Sequence, residues 1–250
     1  MAGTAVLRRL TWQVGTVVEL VEETARTRSI VLDLPEWPGH RAGQHVDVRL
    51  TAEDGYQAQR SYSIASAPED DRLAITVEVL PDGEVSSYLA GELRVGDKLE
   101  LRGPIGGYFV WEADRTEPLL LVAGGSGVVP LMSMIRHRHV AGATVPTKLL
   151  FSSRAWEDVI YRDELERLAL AGDGLEVTHT LTRMQPEGWT GYTRRVDAAM
   201  LSDVGWSASA MPASFVCGPT PFVEAVASTL VLLGHAASTI KTERFGPTGG

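Results

Sequence analysis

The stretch L-L-L-V-A-G-G-S-G-V-V-P, residues 119–130, decides the fold of the second half of this chain. Its first five residues are all apolar, as in a strand of a parallel sheet that is covered on both faces. Three glycines follow, at Gly124, Gly125 and Gly127. A glycine-rich turn between a buried strand and a helix lets a dinucleotide approach the backbone closely. Because the spacing is not G-x-G-x-x-G, a tight turn without a ligand is the alternative.

Strand and helix patterns alternate on the carboxyl side of this stretch. Further strands are predicted at residues 148–151, 175–181 and 214–217, and helices from about Asp158 to Ala171 and from about Pro221 to Leu233. This alternation predicts a parallel sheet with helices on both faces.

The first half of the chain has a period of two instead. Apolar and polar residues alternate over residues 30–34, 46–50, 73–79 and 99–101. Strands that bury one face and expose the other form antiparallel sheets, and the turn signals between them favour a small closed barrel. The pattern changes near residues 116–118, so we predict two domains, residues 1–114 and 115–250.

Composition excludes several classes of protein. The formal net charge is −9 and no basic run is present, which argues against a nucleic-acid partner. One cysteine, Cys217, cannot build a disulfide framework or ligate an iron–sulfur cluster. His137 and His139 are interpreted as part of a solvated helix face, and no metal site is predicted. No stretch has the length of a membrane span or signal peptide, so a cytoplasmic protein is expected.

A cation, an aromatic ring and two hydroxyls alternate in Arg60-Ser61-Tyr62-Ser63, between two predicted strands. In a strand, Arg60 and Tyr62 project to one side while Ser61 and Ser63 project to the other. The set suits a planar ring that carries phosphate: Arg for the phosphate, Tyr against a ring or sugar, and a hydroxyl toward a ring nitrogen. An ordinary exposed strand is the alternative.

Two further motifs lie near predicted element boundaries. Gly83-Glu84-Val85-Ser86-Ser87 predicts a turn and a short helix capped by a serine, whose first N–H groups would bind phosphate. A capped surface helix without a ligand is the alternative. Cys217-Gly218-Pro219 ends the last predicted strand, where open parallel sheets place ligands. A lone cysteine is more often part of the core, so Cys217 receives no nucleophilic role.

Taken together, the motifs resemble those of the ferredoxin–NADP reductase superfamily. In chain order they are R-S-Y-S, G-E-V-S-S, G-P-I-G-G-Y-F, G-G-S-G-V-V-P, C-G-P and E-R-F-G-P, spanning about Trp12 to Pro247. The resemblance implies an N-terminal antiparallel Greek-key β-barrel that binds flavin. It also implies a C-terminal α/β domain, with a Rossmann-like parallel sheet, that binds a nicotinamide nucleotide.

The resemblance also implies roles for single residues. Arg60 would bind flavin phosphate, Tyr62 would lie against the isoalloxazine or ribityl chain, and Ser63 would point toward flavin N5. Ser63 and Cys217 are expected to position the reacting rings, because hydride transfer needs no protein nucleophile. The other residues implied on the flavin side are Ser61, Val77, Val79, Gly83, Val85, Ser86, Ser87 and Phe245, the last as the aromatic ring over the flavin. Those implied around the nicotinamide nucleotide are Gly125, Gly127, Pro130, Cys217, Gly218 and Pro219.

The resemblance leads to expectations about cofactors and partners. FAD is expected rather than FMN. Ser153-Arg154 and Thr182-Arg183 follow two of the predicted strands and favour NADPH over NADH, because arginine and hydroxyl groups bind a 2′-phosphate. The acceptor is expected to be a separate redox protein, such as a ferredoxin or an oxygenase component. The alternatives are a reductase of free flavin, ferric chelate or quinone, a non-catalytic flavin electron-transfer subunit, and a nucleotide-binding regulator without flavin.

Overall fold

The computed structural model describes residues 10–80 and 83–246. Six strands of the first half form an antiparallel sheet: β1 (Trp12–Thr24), β2 (Thr27–Asp33), β3 (His45–Thr51), β4 (Gln57–Ser63), β5 (Leu73–Glu78) and β6 (Lys98–Ile105). Their order is β4-β3-β6-β1-β2-β5, and a bridge between Ile64 and Ile75 joins the two edges into a barrel. Since β6 lies between β1 and β3, the connection is of the Greek-key type, as predicted.

The apolar residues of the period-two pattern fill the interior of the barrel. Ile30 and Leu32 of β2 and Val46 and Val48 of β3 are completely buried in one apolar cluster. A short helix, α1 (Glu84–Gly91), follows β5 and adds Val85 and Leu89 to this cluster.

Five parallel strands form the second sheet: β7 (Leu119–Gly124), β8 (Thr147–Ser153), β9 (Leu175–Leu181), β10 (Ala213–Pro219) and β11 (Ile240–Phe245). Their order is β11-β10-β7-β8-β9. The helices are α2 (Val128–Val140), α3 (Arg162–Leu170), α4 (Ala198–Val204) and α5 (Thr220–Leu232). Leu119 and Leu121 share a core with α2 and α3, while Leu120 and Val122 share another with α4 and α5. The predicted α/β sheet with helices on both faces is therefore confirmed.

Several elements differ from the sequence prediction, which did not include β1 or α4. Helix α3 begins at Arg162 rather than near Asp158, because residues 156–158 form a separate 3-10 turn and Tyr161 adopts a left-handed conformation (φ 59°). Strand β11 was not predicted, although it pairs with β10 along its whole length. Its sequence, I-K-T-E-R-F, alternates weakly and lacks the apolar run of the central strands.

Polar contacts fix the barrel against the second sheet. The Tyr161 hydroxyl donates to Thr76 Oγ1 (2.5 Å), and Arg136 Nη1 donates to the Ala65 carbonyl (2.7 Å). His137 is buried, with Nδ1 lying 2.7 Å from Glu69 Oε1. The solvated-face interpretation is therefore wrong for His137, because this side of α2 packs on the barrel.

The predicted domain boundary lies in the connection between β6 and β7, at residues 114 and 115. That boundary stays a prediction. Among the described residues, none of the helices combines the length and the apolar character needed to cross a bilayer.

Candidate active site

Three cavities meet between the two sheets, and Phe245 lines all three. The barrel cavity, about 420 Å³, is bounded by Arg60, Tyr62 and the start of α1. The sheet cavity, about 370 Å³, is bounded by the ends of β7, β8 and β9. The rim cavity, about 520 Å³, opens on the other side of Ser63, next to His45. Because Phe245 belongs to every wall, ligands in the three cavities would be neighbours.

Arg60 supplies an available cation in the barrel cavity. Its Nη1 donates to the Gln59 carbonyl (2.7 Å), and among residues 10–80 and 83–246 no carboxylate lies within ion-pair distance of it. Tyr62 is half-buried in the same wall. Burial raises the pKa of Tyr62 to about 12, so the ring stays a neutral phenol. The cavity thus combines a phosphate-binding cation with an aromatic surface.

The two serines of R-S-Y-S have different partners. Ser61 Oγ donates to Asp47 Oδ1 (2.7 Å), and Arg102 donates to the other oxygen of that carboxylate. Burial alone would raise the pKa of Asp47, but these hydrogen bonds hold it below its usual value. Ser63 Oγ donates to Glu243 Oε1 (3.3 Å), across the boundary between the two sheets. Ser63 therefore links the barrel cavity to a carboxylate of β11.

The start of α1 differs from the expected capped helix. Ser86 Oγ donates to the Gly83 carbonyl (3.1 Å) and accepts from the Leu80 N–H (3.2 Å), so it shapes the preceding turn. Among residues 10–80 and 83–246, no side chain caps the helix, so its first N–H groups are available to a ligand. A Cβ on Gly83 would lie 2.4 Å from Ser86 Oγ, which explains the glycine. Ser87 faces a different cavity, on the outside of the barrel.

Val77 and Val79, which the resemblance implies at the flavin, do not line the barrel cavity. Val77 is completely buried in the barrel core, because residues along a strand alternate in direction. Its neighbours Thr76 and Glu78 line the barrel cavity instead. Val79 lies outside the cavity walls, and its backbone pairs with Arg26.

Glycines shape the sheet cavity by letting backbones meet. A Cβ on Gly127 would lie 2.2 Å from the Cys217 carbonyl oxygen, so only glycine lets the start of α2 approach β10. Gly125 has a φ of 55° and lines the cavity. Pro219 lines it from the end of β10, whereas Pro130 and Gly218 are buried behind it.

Cys217 and Glu243 are paired neighbours on β10 and β11. Burial, with the Glu243 carboxylate second, raises the pKa of Cys217, so the thiol stays protonated. Burial also raises the pKa of Glu243 to about 7, although the Ser63 hydrogen bond opposes the shift. Sequence analysis missed Glu243. The available signal was its position two residues before Phe245, which in a strand places both on one face.

Three of the four residues expected at a 2′-phosphate line the sheet cavity: Ser153, Arg154 and Thr182. Ser153 Oγ is buried and has no hydrogen-bond partner among the described residues. Arg183 does not line the cavity, and its backbone N–H donates to the Arg154 carbonyl (2.9 Å). Asp158, which closely follows Arg154 in the sequence, also belongs to the wall.

These features fit a flavin dinucleotide and a nicotinamide dinucleotide. The uncapped start of α1 and the unpaired Arg60 suit a pyrophosphate in the barrel cavity. The unsatisfied hydroxyl of Ser153 points to a polar ligand in the sheet cavity.

Comparison with known proteins supports the same interpretation. Residues 15–110 match the model of the oxidoreductase FAD-binding domain, and residues 121–228 match that of the oxidoreductase NAD-binding domain. The glycine betaine monooxygenase reductase subunit of Chromohalobacter salexigens is 34% identical over 92% of this chain. This chain spans 63% of the length of that relative, a little under two thirds.

Two other proteins extend the comparison. NADH-cytochrome b5 reductase 1 of Aspergillus terreus is 33% identical over 77% of this chain and 67% of its own length. The FAD/NAD-binding domain of the Vibrio cholerae nitric oxide dioxygenase superposes with a TM-score of 0.83 at 24% identity, covering 94% of this chain and 99% of that domain. The chain therefore belongs to the ferredoxin–NADP reductase superfamily, as an oxidoreductase with an FAD-binding barrel and a nicotinamide-nucleotide-binding α/β domain.

Proposed function

We propose that this protein takes reducing equivalents from NADPH into bound FAD and passes them to a separate redox protein. One observation carries the proposal: the barrel and sheet cavities share Glu78, Leu80, Ser126 and Phe245 in their walls. A ring held in one cavity would therefore contact a ring held in the other, as transfer between two bound cofactors requires. When bound, FAD supplies the exchange between a two-electron donor and one-electron acceptors.

The protein's own residues bind, orient and hold protons. Arg60 and the open N–H groups of α1 bind phosphate, and Tyr62 supports the ring system. Cys217 is buried and does not line the sheet cavity, and its thiol stays neutral, so it packs without reacting. Glu243, with a pKa of about 7 and a hydrogen bond to Ser63, holds or releases a proton at the Ser63 hydroxyl near neutral pH.

The choice of NADPH rests on the wall of the sheet cavity. Arg154 places a cation beside the hydroxyls of Ser153 and Thr182, the combination that binds a phosphate dianion. NADH is the second candidate, because the Asp158 carboxylate lies in the same wall. A carboxylate suits a ribose 2′-hydroxyl and repels a 2′-phosphate. The relative from Aspergillus terreus is named as an NADH enzyme, which adds to this alternative.

For the acceptor, we propose an oxygenase component, either directly or through a ferredoxin. The name of the relative from Chromohalobacter salexigens, a reductase subunit of a monooxygenase, supports this choice. The rim cavity offers the approach, because Ser63 and Phe245 line it and Phe245 is the residue it shares with the sheet cavity.

An anaerobic absorbance titration of the purified protein tests the proposal. NADPH is added to one sample and NADH to another, and bleaching of the flavin band is followed. We expect bleaching at a lower concentration of NADPH. Bleaching by NADH at the lower concentration would overturn the donor assignment. A protein without flavin that fails to bind added FAD would overturn the function as a whole. Turnover with free flavin, ferric chelate or quinone but not with protein acceptors would overturn the acceptor assignment.

A further inference from the structure

A row of hydrogen-bonded side chains leads away from the barrel cavity across three adjacent strands. Thr76 of β5 lines the cavity and is 5% exposed. Its Oγ1 lies 2.7 Å from Oγ of Ser29, its paired residue on β2. Ser29 Oγ in turn donates to Glu23 Oε1 of β1 (2.6 Å). We call Thr76, Ser29 and Glu23 the hydroxyl chain, because two hydroxyls connect the cavity wall to a carboxylate without a gap.

The two ends of the hydroxyl chain set the direction of its hydrogen bonds. A carboxylate only accepts, so Ser29 uses its hydrogen for Glu23, and the hydrogen between Ser29 and Thr76 comes from Thr76. The Tyr161 hydroxyl donates to Thr76 Oγ1 (2.5 Å). Tyr161 takes one of the two lone pairs of that oxygen, and the second can accept from a ligand in the barrel cavity. A proton received there would therefore reach Glu23 in one transfer per hydroxyl.

Glu23 forms the outer end of the hydroxyl chain. Its side chain is half-buried, so it meets both the chain and solvent. Burial raises the pKa of Glu23, and the Glu164 carboxylate of α3 adds to the rise. The hydrogen bond from Ser29, the charge of Arg136 on α2 and the N–H of Tyr161 oppose it. Arg136 is paired with Glu164 (2.6 Å). Glu23 is thus a carboxyl group that can take a proton from Ser29 and pass it to water.

The proposed function needs a way out for protons. When one NADPH reduces two one-electron acceptors, it becomes NADP⁺ and releases two electrons and one proton, because a hydride is one proton with two electrons. The electrons go to the acceptors, so the proton must leave the protein separately.

We propose that the hydroxyl chain carries this proton from the barrel cavity to solvent, through Thr76 Oγ1, Ser29 Oγ and Glu23 Oε1 in that order. At each hydroxyl one O–H bond forms while another breaks, so the side chains end unchanged. The inference rests on the proposed function, because it takes FAD to lie in the barrel cavity and to give up its electrons to one-electron acceptors.

The test is a single-turnover measurement of proton release. The full chain with bound FAD is reduced by one equivalent of NADPH and mixed with ferricyanide in weak buffer that contains a pH-indicator dye. Flavin absorbance follows the electrons, and the dye follows the proton. Glu23→Gln and Thr76→Val should slow proton release about a hundredfold, the effect of losing one positioned proton-transfer group. Thr76→Ser keeps a hydroxyl and should release the proton at the unsubstituted rate. So should Glu22→Gln, which removes an exposed neighbouring carboxylate.

A second measurement needs no flavin. Infrared spectra of the flavin-free protein, recorded against pH, follow the carboxyl band that Glu23→Gln removes. Ser29→Ala takes away a hydrogen bond to the carboxylate, so the pKa of Glu23 should rise further. An unchanged titration of Glu23 would show that Ser29 does not donate to it, and the hydroxyl chain would be broken at this point.

The outcomes separate the inference from the proposed function. If Glu23→Gln and Thr76→Val release the proton at the unsubstituted rate, the proton leaves by another route, such as Ser63 and Glu243, and the inference is wrong while flavin reduction stands. Equal slowing in Glu22→Gln would also contradict it. If NADPH does not reduce the bound flavin of the unsubstituted protein, the proposed function itself fails. Thermal unfolding of each variant checks that the fold is kept.

Discussion

The barrel and the parallel sheet contribute to the site in different ways. In the barrel, the cavity wall consists of side chains that project from the surface of β4, such as Arg60 and Tyr62. In the parallel sheet, polar side chains also line the cavity, but its shape depends on close contacts between main chains outside the wall, such as that of Gly127 with the carbonyl of Cys217. The barrel half therefore depends on projecting side chains, and the sheet half depends in addition on close contact between main chains.

This difference bears on how substitutions should act. A side chain on the barrel surface can be removed without disturbing the fold, so its loss should affect ligand binding alone. A methyl group added between two main chains has no space and must move an element of the fold. We expect substitutions at close-packed glycines of the sheet half to change stability and binding together, and substitutions of exposed side chains in either half to separate the two.

The largest effect is expected for Gly127→Ala. Its Cβ would lie 2.2 Å from the Cys217 carbonyl oxygen, so α2 or β10 must shift. The free energy of unfolding should fall by about 3 kcal/mol or more, with loss of nucleotide binding. Gly91→Ala is the control, because a Cβ there meets nothing within 4 Å, and its stability should stay within about 0.5 kcal/mol. Equal denaturant midpoints for the two variants would refute the close-contact argument.

Glu243→Gln should change how stability depends on pH. Burial raises the pKa of Glu243 from 4.5 to about 7. Between these values the folded protein keeps a proton that the unfolded chain has lost, so stability falls as pH rises through this window. The loss is at most about 3 kcal/mol and should disappear in the variant. Denaturation of both proteins at pH 4, 6 and 8 measures it, and parallel curves would show that Glu243 ionises normally.

Arg60→Ala should separate binding from stability in the barrel half. The side chain is exposed, and its Nη1 donates a hydrogen bond to the Gln59 carbonyl. Flavin affinity should fall about tenfold to a hundredfold, the effect of one charge-assisted contact, while unfolding changes by no more than about 0.5 kcal/mol. Arg60→Lys keeps the charge and should lose less affinity. Unchanged flavin binding in Arg60→Ala would contradict the phosphate role.

The smallest effect is expected at the wall of the sheet cavity. Arg154→Ala should raise the Michaelis constant for NADPH about tenfold more than that for NADH, because one cation near a 2′-phosphate is lost. Asp158→Asn should act in the opposite direction and lower the Michaelis constant for NADPH. Arg183→Ala serves as the control, since this side chain does not line the cavity. Equal changes with both nucleotides would remove the argument for NADPH.

The sequence predicted the two-domain fold, about half of the wall of the barrel cavity and about a third of the wall of the sheet cavity. R-S-Y-S and the glycine turn after β7 both line cavities, because short motifs fix local side-chain direction and backbone shape. The alternation over residues 73–79 predicted that Val77 is buried and that Thr76 and Glu78 lie on the other face, whereas the resemblance implied Val77 at the flavin. Strand alternation offers two faces, and the sequence does not say which one meets a ligand.

Periodicity in the sequence determined where strands bury one face and where they bury both, since burial of apolar surface depends on spacing along the chain. Tertiary structure alone brought Glu243 to Ser63, 180 residues away, and brought Ser126 and Phe245 into the walls of both the barrel and the sheet cavity. These contacts depend on how the elements pack, and because their partners come from separate elements, no local pattern in the sequence records them.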